Sequence, residues 1–149
     1  MSDKPPLKPR ILLIEDNIDR IALFRQWLTS TPYLPVEVTS GGQAMGMLRY
    51  GAEGVAGICL DHDLNSQPRT LSDEWVSGSD VVSLICRKVP KTVPILVHSM
   101  NTIKAPDMVK RLAGSGFSVT RIRMVILNQA NFSDWLADVA VSWEDRCEN

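Results

Sequence analysis

The chain has 149 residues, which suits one domain with a sizeable core. Its composition, 44% hydrophobic and 22% charged, is that of a soluble globular protein and excludes a disordered chain. A net charge of -1 excludes a bulk field that would draw the whole molecule to nucleic acid or an anionic membrane, and no apolar run approaches the ~20 residues a membrane span needs.

Met1 to Pro9 carries three prolines and two lysines and predicts a short flexible lead-in. It has no apolar h-region, so no secretory signal is expected there. Residues 10–149 are expected to form the single folded domain. Arg10 to Glu15 is a continuous apolar run ending in an acidic pair, the pattern of a strand buried on both faces. Ile18, Ile21, Phe24 and Leu28 recur at helical spacing and predict an amphipathic helix, with Thr29 to Pro35 as its break. Val36 to Thr39 predicts a short strand. Ser40-Gly41-Gly42 then starts a helix with Ala44, Met47 and Leu48 inward, closed by Gly51 and Gly54.

Val55 to Leu60 predicts a second strand buried on both faces. It ends in Asp61-His62-Asp63-Leu64 and is followed by a polar loop, Asn65 to Ser77. A helix from about Ser79 places Val82, Ile85 and Val89 inward and stops at Pro90. Val93 to Val97 is the next buried strand, ending in His98-Ser99-Met100-Asn101. Pro106 suits the first turn of a helix that carries Met108, Val109 and Leu112 and ends at Gly114. Ser118 to Leu127 predicts the last strand. Ser133 is expected to cap a final helix with Trp135, Val139 and Trp143 on one stripe.

Strictly alternating strands and helices imply a parallel sheet covered on both faces by right-handed crossovers. The three cysteines, Cys59, Cys86 and Cys147, have no metal-like spacing. Cys59 and Cys86 lie in apolar runs and read as buried free thiols, which suits a cytoplasmic location.

In open parallel sheets, ligands bind beyond the carboxyl ends of the strands. The unusual polar residues of this sequence fall at three such ends: Glu15 and Asp16, then Asp61, His62 and Asp63, then His98, Ser99 and Asn101. Carboxylates gathered at one edge repel one another, and a divalent cation relieves them. Hard oxygen ligands suit Mg²⁺, with Glu15, Asp16, Asp61 and Asp63 as candidate ligands. Ser99 and Asn101 could position phosphate oxygens, and Asp61 could attack phosphorus. The only two histidines, His62 and His98, both lie here and could serve as general base and acid. A histidine hydrogen-bonded to a carboxylate for structure alone is the competing reading of each. Lys104 reads as a solvated lysine. Arg121 and Arg123 read either as a phosphate-facing pair or as a solvent-facing or salt-bridged one.

The order of elements and the motifs ILLIEDN (Ile11 to Asn17), ICLDHDL (Ile58 to Leu64) and PILVHS (Pro94 to Ser99) resemble the CheY-like receiver domains of response regulators. The resemblance implies a doubly wound, flavodoxin-like α/β fold. It has five parallel strands in the order 2-1-3-4-5, a phosphoacceptor at Asp61 and a switch hydroxyl at Ser99. Two features depart from that pattern. Receivers carry a Lys-Pro at the end of the fifth strand, and Ser118 to Asn131 contains no Lys. Asn65 stands at the place of the Pro that follows the acceptor, and Gly78 comes only after a long insertion.

Asp-His-Asp-Leu at Asp61 to Leu64, with His-Ser-x-Asn at His98 to Asn101, resembles the narrower cyclic-phosphate-processing receiver family. That resemblance implies a metal-assisted phosphoesterase acting on cyclic phosphate ends in RNA processing or repair. Its partner would be a phosphate-bearing small molecule or an RNA end. Two alternatives stay open beside it. One is a stand-alone receiver phosphorylated on Asp61 in a phosphorelay, with a sensor kinase and a downstream protein as partners and no DNA-binding domain attached. The other is a degenerate receiver that works only as an interaction surface.

Overall fold

The computed structural model describes residues 8–49, 52–64 and 78–148. Among the described residues, five strands and five helices alternate. They are β1 (Arg10–Ile14), α1 (Ile18–Leu28), β2 (Leu34–Val38), α2 (Gly41–Leu48), β3 (Val55–Leu60), α3 (Gly78–Lys88), β4 (Ile95–Val97), α4 (Lys104–Gly114), β5 (Val119–Arg121) and α5 (Gln129–Glu148). The strands form one parallel sheet in the order β2-β1-β3-β4-β5, the expected doubly wound arrangement.

Successive side chains on a strand point to opposite faces, so each central strand feeds two cores. Leu12, Ile14, Ile58, Leu60, Ile95 and Val97 pack with α2, α3 and α4. Ile11, Leu13, Cys59 and Leu96 pack with α1 and α5, against Phe24, Leu28, Phe132, Trp135 and Val139. β3 is buried along its whole length, which is why Val55 to Leu60 reads as an unbroken apolar run. Gly57 lets α5 lie close on it: a Cβ there would meet the Trp135 ring at 2.8 Å.

Several boundaries differ from the sequence expectations, each for a local reason. β2 begins at Leu34 rather than Val36 and contains Pro35. It is an edge strand, where a missing N–H costs no ladder bond. Ile18 does not join the apolar face of α1; it sits in the first turn and is 81% exposed. Met47 is exposed, and the buried face of α2 is Gly41, Ala44 and Leu48. β5 is three residues long, not ten. Ser133 lies inside α5 rather than at its start. The start is fixed by Asn128, whose side-chain oxygen accepts from the Asn131 N–H at 2.9 Å, while Asn131 returns the bond to the Asn128 N–H at 2.8 Å. Cys86 is half-buried and Cys147 exposed; only Cys59 is a buried thiol. The expected lead-in Met1 to Leu7 and the loop Asn65 to Ser77 lie outside the described residues. Among the described residues, no helix is long and apolar enough to cross a membrane.

Candidate active site

The sheet ladder runs one residue past the end of three strands. Glu15 N–H donates to Val38, Asp61 N–H to Ile14 and His98 N–H to Leu60, at 3.0, 3.0 and 3.1 Å. The register pairs Ile14 with Leu60 and Leu60 with Val97. Continued by one residue, it sets Glu15, Asp61 and His98 side by side in one row. That row follows Leu13, Cys59 and Leu96, so its side chains belong to the α1–α5 face. The same continuation puts Ile122 of the β5 side next to His98. All three polar members are buried: Glu15 and His98 are fully covered and Asp61 is 3% exposed.

Asp16 follows Glu15 in the turn before α1 and completes an acidic cluster. One carboxylate oxygen from each of Glu15, Asp16 and Asp61 lies within 4.8 Å of the others. Asn17 caps α1 through its side-chain oxygen, which accepts from Arg20 N–H at 3.0 Å. This cap turns the first helical turn back over the acids. Arg20 Nη1 reaches Glu15 Oε1 at 3.4 Å and Asp61 Oδ2 at 3.8 Å. Glu15 Oε2 accepts from the backbone N–H groups of Asp16 and Asn17 at 3.0 and 3.3 Å. Glu15 Oε1 also accepts from His98 Nε2, at 3.1 Å.

These contacts drive the two carboxyls apart in acidity. Burial pushes Glu15 up, but the hydrogen bond and charge of His98, the Asn17 N–H and the nearby Arg20 outweigh it, so its pKa falls. Asp61 goes the other way, from 3.8 to about 7. Burial is the largest cause; the charge and hydrogen bond of Glu15 come next, with Arg20 opposing.

His62 is placed elsewhere. It follows Asp61 in the bend after β3. Its Nδ1 lies 3.1 Å from Asp63 Oδ1, and its backbone closes on the start of α3 at Gly78. Asp63 is exposed, is linked to Asn101 Nδ2 at 3.5 Å and is not in the acidic cluster. Asn101 Oδ1 accepts from the Ile103 and Lys104 N–H groups at 3.1 and 2.8 Å, which anchors the start of α4. Ser99 is buried and its hydroxyl accepts from Asn101 N–H at 3.1 Å. Lys104 and Arg123 are exposed. Arg121 leans back over β4, its Nη2 3.4 Å from the Ser99 carbonyl. The structure thus unites Glu15, Asp16, Asp61 and His98, and groups His62, Asp63 and Asn101 on the neighbouring rim. Sequence reasoning missed Arg20; its signal was the Asn17 cap, which fixes the position three residues on against the acids.

Three carboxylates within one short radius fit a hard divalent cation such as Mg²⁺ by donor chemistry.

Residues 11–114 match the family model of the cyclic-phosphate processing receiver domain. No curated protein matches the chain significantly. Among solved structures, the signal receiver domain of a protein described as a LuxO repressor, from Vibrio parahaemolyticus, is 24% identical with a TM-score of 0.68, covering 96% of this chain and 99% of its own. The receiver domain of a sensor histidine kinase from Pseudomonas aeruginosa, with a magnesium ion in its active-site cleft, is 18% identical with a TM-score of 0.64, covering 89% and 98%. The Mn²⁺-bound response regulator Rcp1 is 20% identical with a TM-score of 0.60, covering 85% and 88%. At these identities the neighbours establish the receiver fold.

Proposed function

Since the chain belongs to the cyclic-phosphate processing receiver domain family, we propose that it is a metal-dependent phosphoesterase that opens a cyclic phosphate end at the Asp61 pocket. The observation that carries this reading is the identity of the cation against Asp61. Among the described residues it is Arg20 from α1, and Ser118 to Asn131 holds no lysine to supply the usual partner of an acyl phosphate from the fifth strand. The site therefore suits a phosphate that is bound and cleaved beside Asp61 better than one stored on it.

Asp16 and Asp61, with Glu15 beside them, would hold the divalent cation. When bound, that cation supplies charge for the phosphate oxygens and acidifies a water. The chain's own groups do the rest. Arg20 offers a second positive charge at the phosphate position. His62, with Nδ1 tied to Asp63, is the rim group poised for proton transfer. In the reaction a water oxygen bonds to phosphorus, one ring P–O bond breaks, and the departing oxygen takes a proton, leaving a monoester. The substrate class is a small cyclic phosphate or an RNA end.

A second reading, an acceptor receiver in a phosphorelay, is favoured by the buried Ser99 hydroxyl at the end of β4, the strand next to Asp61. One pair of assays separates them. Incubation with 2′,3′-cyclic nucleotides and cyclic-ended RNA, in Mg²⁺ or Mn²⁺, is expected to yield monoesters, with loss of at least ~10²-fold in rate for His62→Ala. No turnover on any such substrate, together with a mass increase on Asp61 from acetyl phosphate, would establish the phosphorelay instead.

A further inference from the structure

His98 is, with Glu15 and Ser99, one of the fully covered polar groups of the site, and its surroundings define its task. It is fully buried. One edge of its ring packs on Phe24, centroids 4.9 Å apart and planes at 63°. Phe24 in turn meets Phe132 of α5 at 5.5 Å, so the imidazole is backed by aromatic core rather than by solvent. Its Nε2 meets Glu15 across the intervening strand β3, 83 residues away in sequence. Glu15 is an acceptor there, so Nε2 carries the hydrogen. The other nitrogen, Nδ1, is buried with no partner among the described residues. No part of this ring is exposed to solvent.

We propose that His98 is a positioning residue. It holds Glu15 as a fixed anion against Asp16 and Asp61, and so shapes the cation site, without meeting substrate. This inference rests on the proposed metal-dependent reading of the same site, but its readout does not. A glutamate whose Oε2 is held by two backbone N–H groups still needs its other oxygen fixed. Arg20, at 3.4 Å and partly exposed, is a looser clamp than the buried imidazole. Partners of this kind behind metal-site carboxylates typically change metal affinity by about 10–100-fold when removed.

The test uses amide substitutions that place the donor differently. Gln at this position sets its amide where Nε2 lies, and Asn sets it where Nδ1 lies. Mg²⁺ affinity measured by calorimetry is expected to stay within about threefold for His98→Gln and to weaken about 10–100-fold for His98→Asn and His98→Leu. In a Glu15→Gln background, His98→Asn should produce no further weakening, because the two act as one unit. Equal Mg²⁺ affinity in His98→Asn and the unsubstituted protein would overturn the proposal. So would loss of cyclic-phosphate turnover in His98→Gln at unchanged Mg²⁺ affinity, since that marks a group acting on substrate. Absence of turnover in the unsubstituted protein, with the affinity pattern intact, removes the phosphoesterase reading and leaves the role of His98 standing.

Discussion

At the residue scale, the row Glu15–Asp61–His98 turns sequence position into acidity. The folded protein holds a proton on Asp61 up to about pH 7, whereas the unfolded chain releases it near 3.8. Between those values the folded state binds more protons than the unfolded one. Stability without metal therefore falls as pH rises through this window, by at most ~1.4 kcal/mol per pH unit from this one group. Glu15 runs oppositely: its lowered pKa contributes stability above its ordinary value that is lost only as pH falls further. A divalent cation competes with the Asp61 proton, so Mg²⁺ should raise the melting temperature more at pH 8 than at pH 5. Asp61→Asn should melt higher than the unsubstituted protein at pH 8 without Mg²⁺, and should lose the Mg²⁺ response. Thermal melts at the two pH values check this, and an equal Mg²⁺ shift at both would refute the coupling. The acids and the histidine of this row were legible because they interrupt apolar runs at strand ends. Arg20 was not, because a single arginine on a helix carries no sign of which way it points until the Asn17 cap and the register of β1 and β3 are known.

At the scale of elements, the sequence showed what lies where two periodicities are clean. The buried strands β1, β3 and β4 and the inward faces of α3 and α4 were legible from their apolar spacing. The errors fall where a local signal has two meanings. Pro35 reads as a stop but is accepted on an edge strand; Ser133 reads as a cap but the Asn128–Asn131 pair precedes it. The short β5 was over-read because Ile122 and Met124 continue an apolar alternation after the strand has ended, packing on the α1–α5 core from irregular backbone. One junction of elements bears directly on the site. A Cβ at Gly78, the first residue of α3, would lie 2.5 Å from the His62 carbonyl oxygen and 3.0 Å from its Cα. Backbone cannot yield as a side-chain tip does, so Gly78→Ala must push the His62–Asp63 turn. It should cost about 1–3 kcal/mol and move His62. Gly114→Ala, at the end of α4 with nothing within 4 Å, should be neutral or stabilising by up to ~1 kcal/mol. Melting temperatures and His62 ¹⁵N shifts of the pair decide it; matching behaviour of the two variants would show that the close approach at Gly78 has no consequence.

At the scale of the whole molecule, the family match and the folding unit do not coincide. The match ends at residue 114, before β5 and α5. Yet α5 roofs the face that carries the site. Phe132, Trp135, Leu136 and Val139 are buried against Ile11, Leu13, Phe24, Cys59 and Leu96, and Arg146 reaches the Val55 carbonyl at the far end of β3. The same aromatic layer supports the ring of His98 through Phe24. Burying four such side chains contributes roughly 6–12 kcal/mol, at about 1.5–3 kcal/mol each. That is comparable with the ~5–15 kcal/mol by which a whole domain is stable. A chain ending at Gly114 should therefore fail to fold, with no cooperative melt and no near-ultraviolet circular dichroism. In the full chain, Trp135→Ala should cost about 3–5 kcal/mol, measured by denaturant unfolding. It should also weaken Mg²⁺ binding, because Phe132, which backs Phe24 behind His98, loses its Trp135 neighbour. A truncated chain that melts cooperatively near the full-length temperature would mean that α5 is an accessory and that the site stands on β1, β3, β4 and α1 alone.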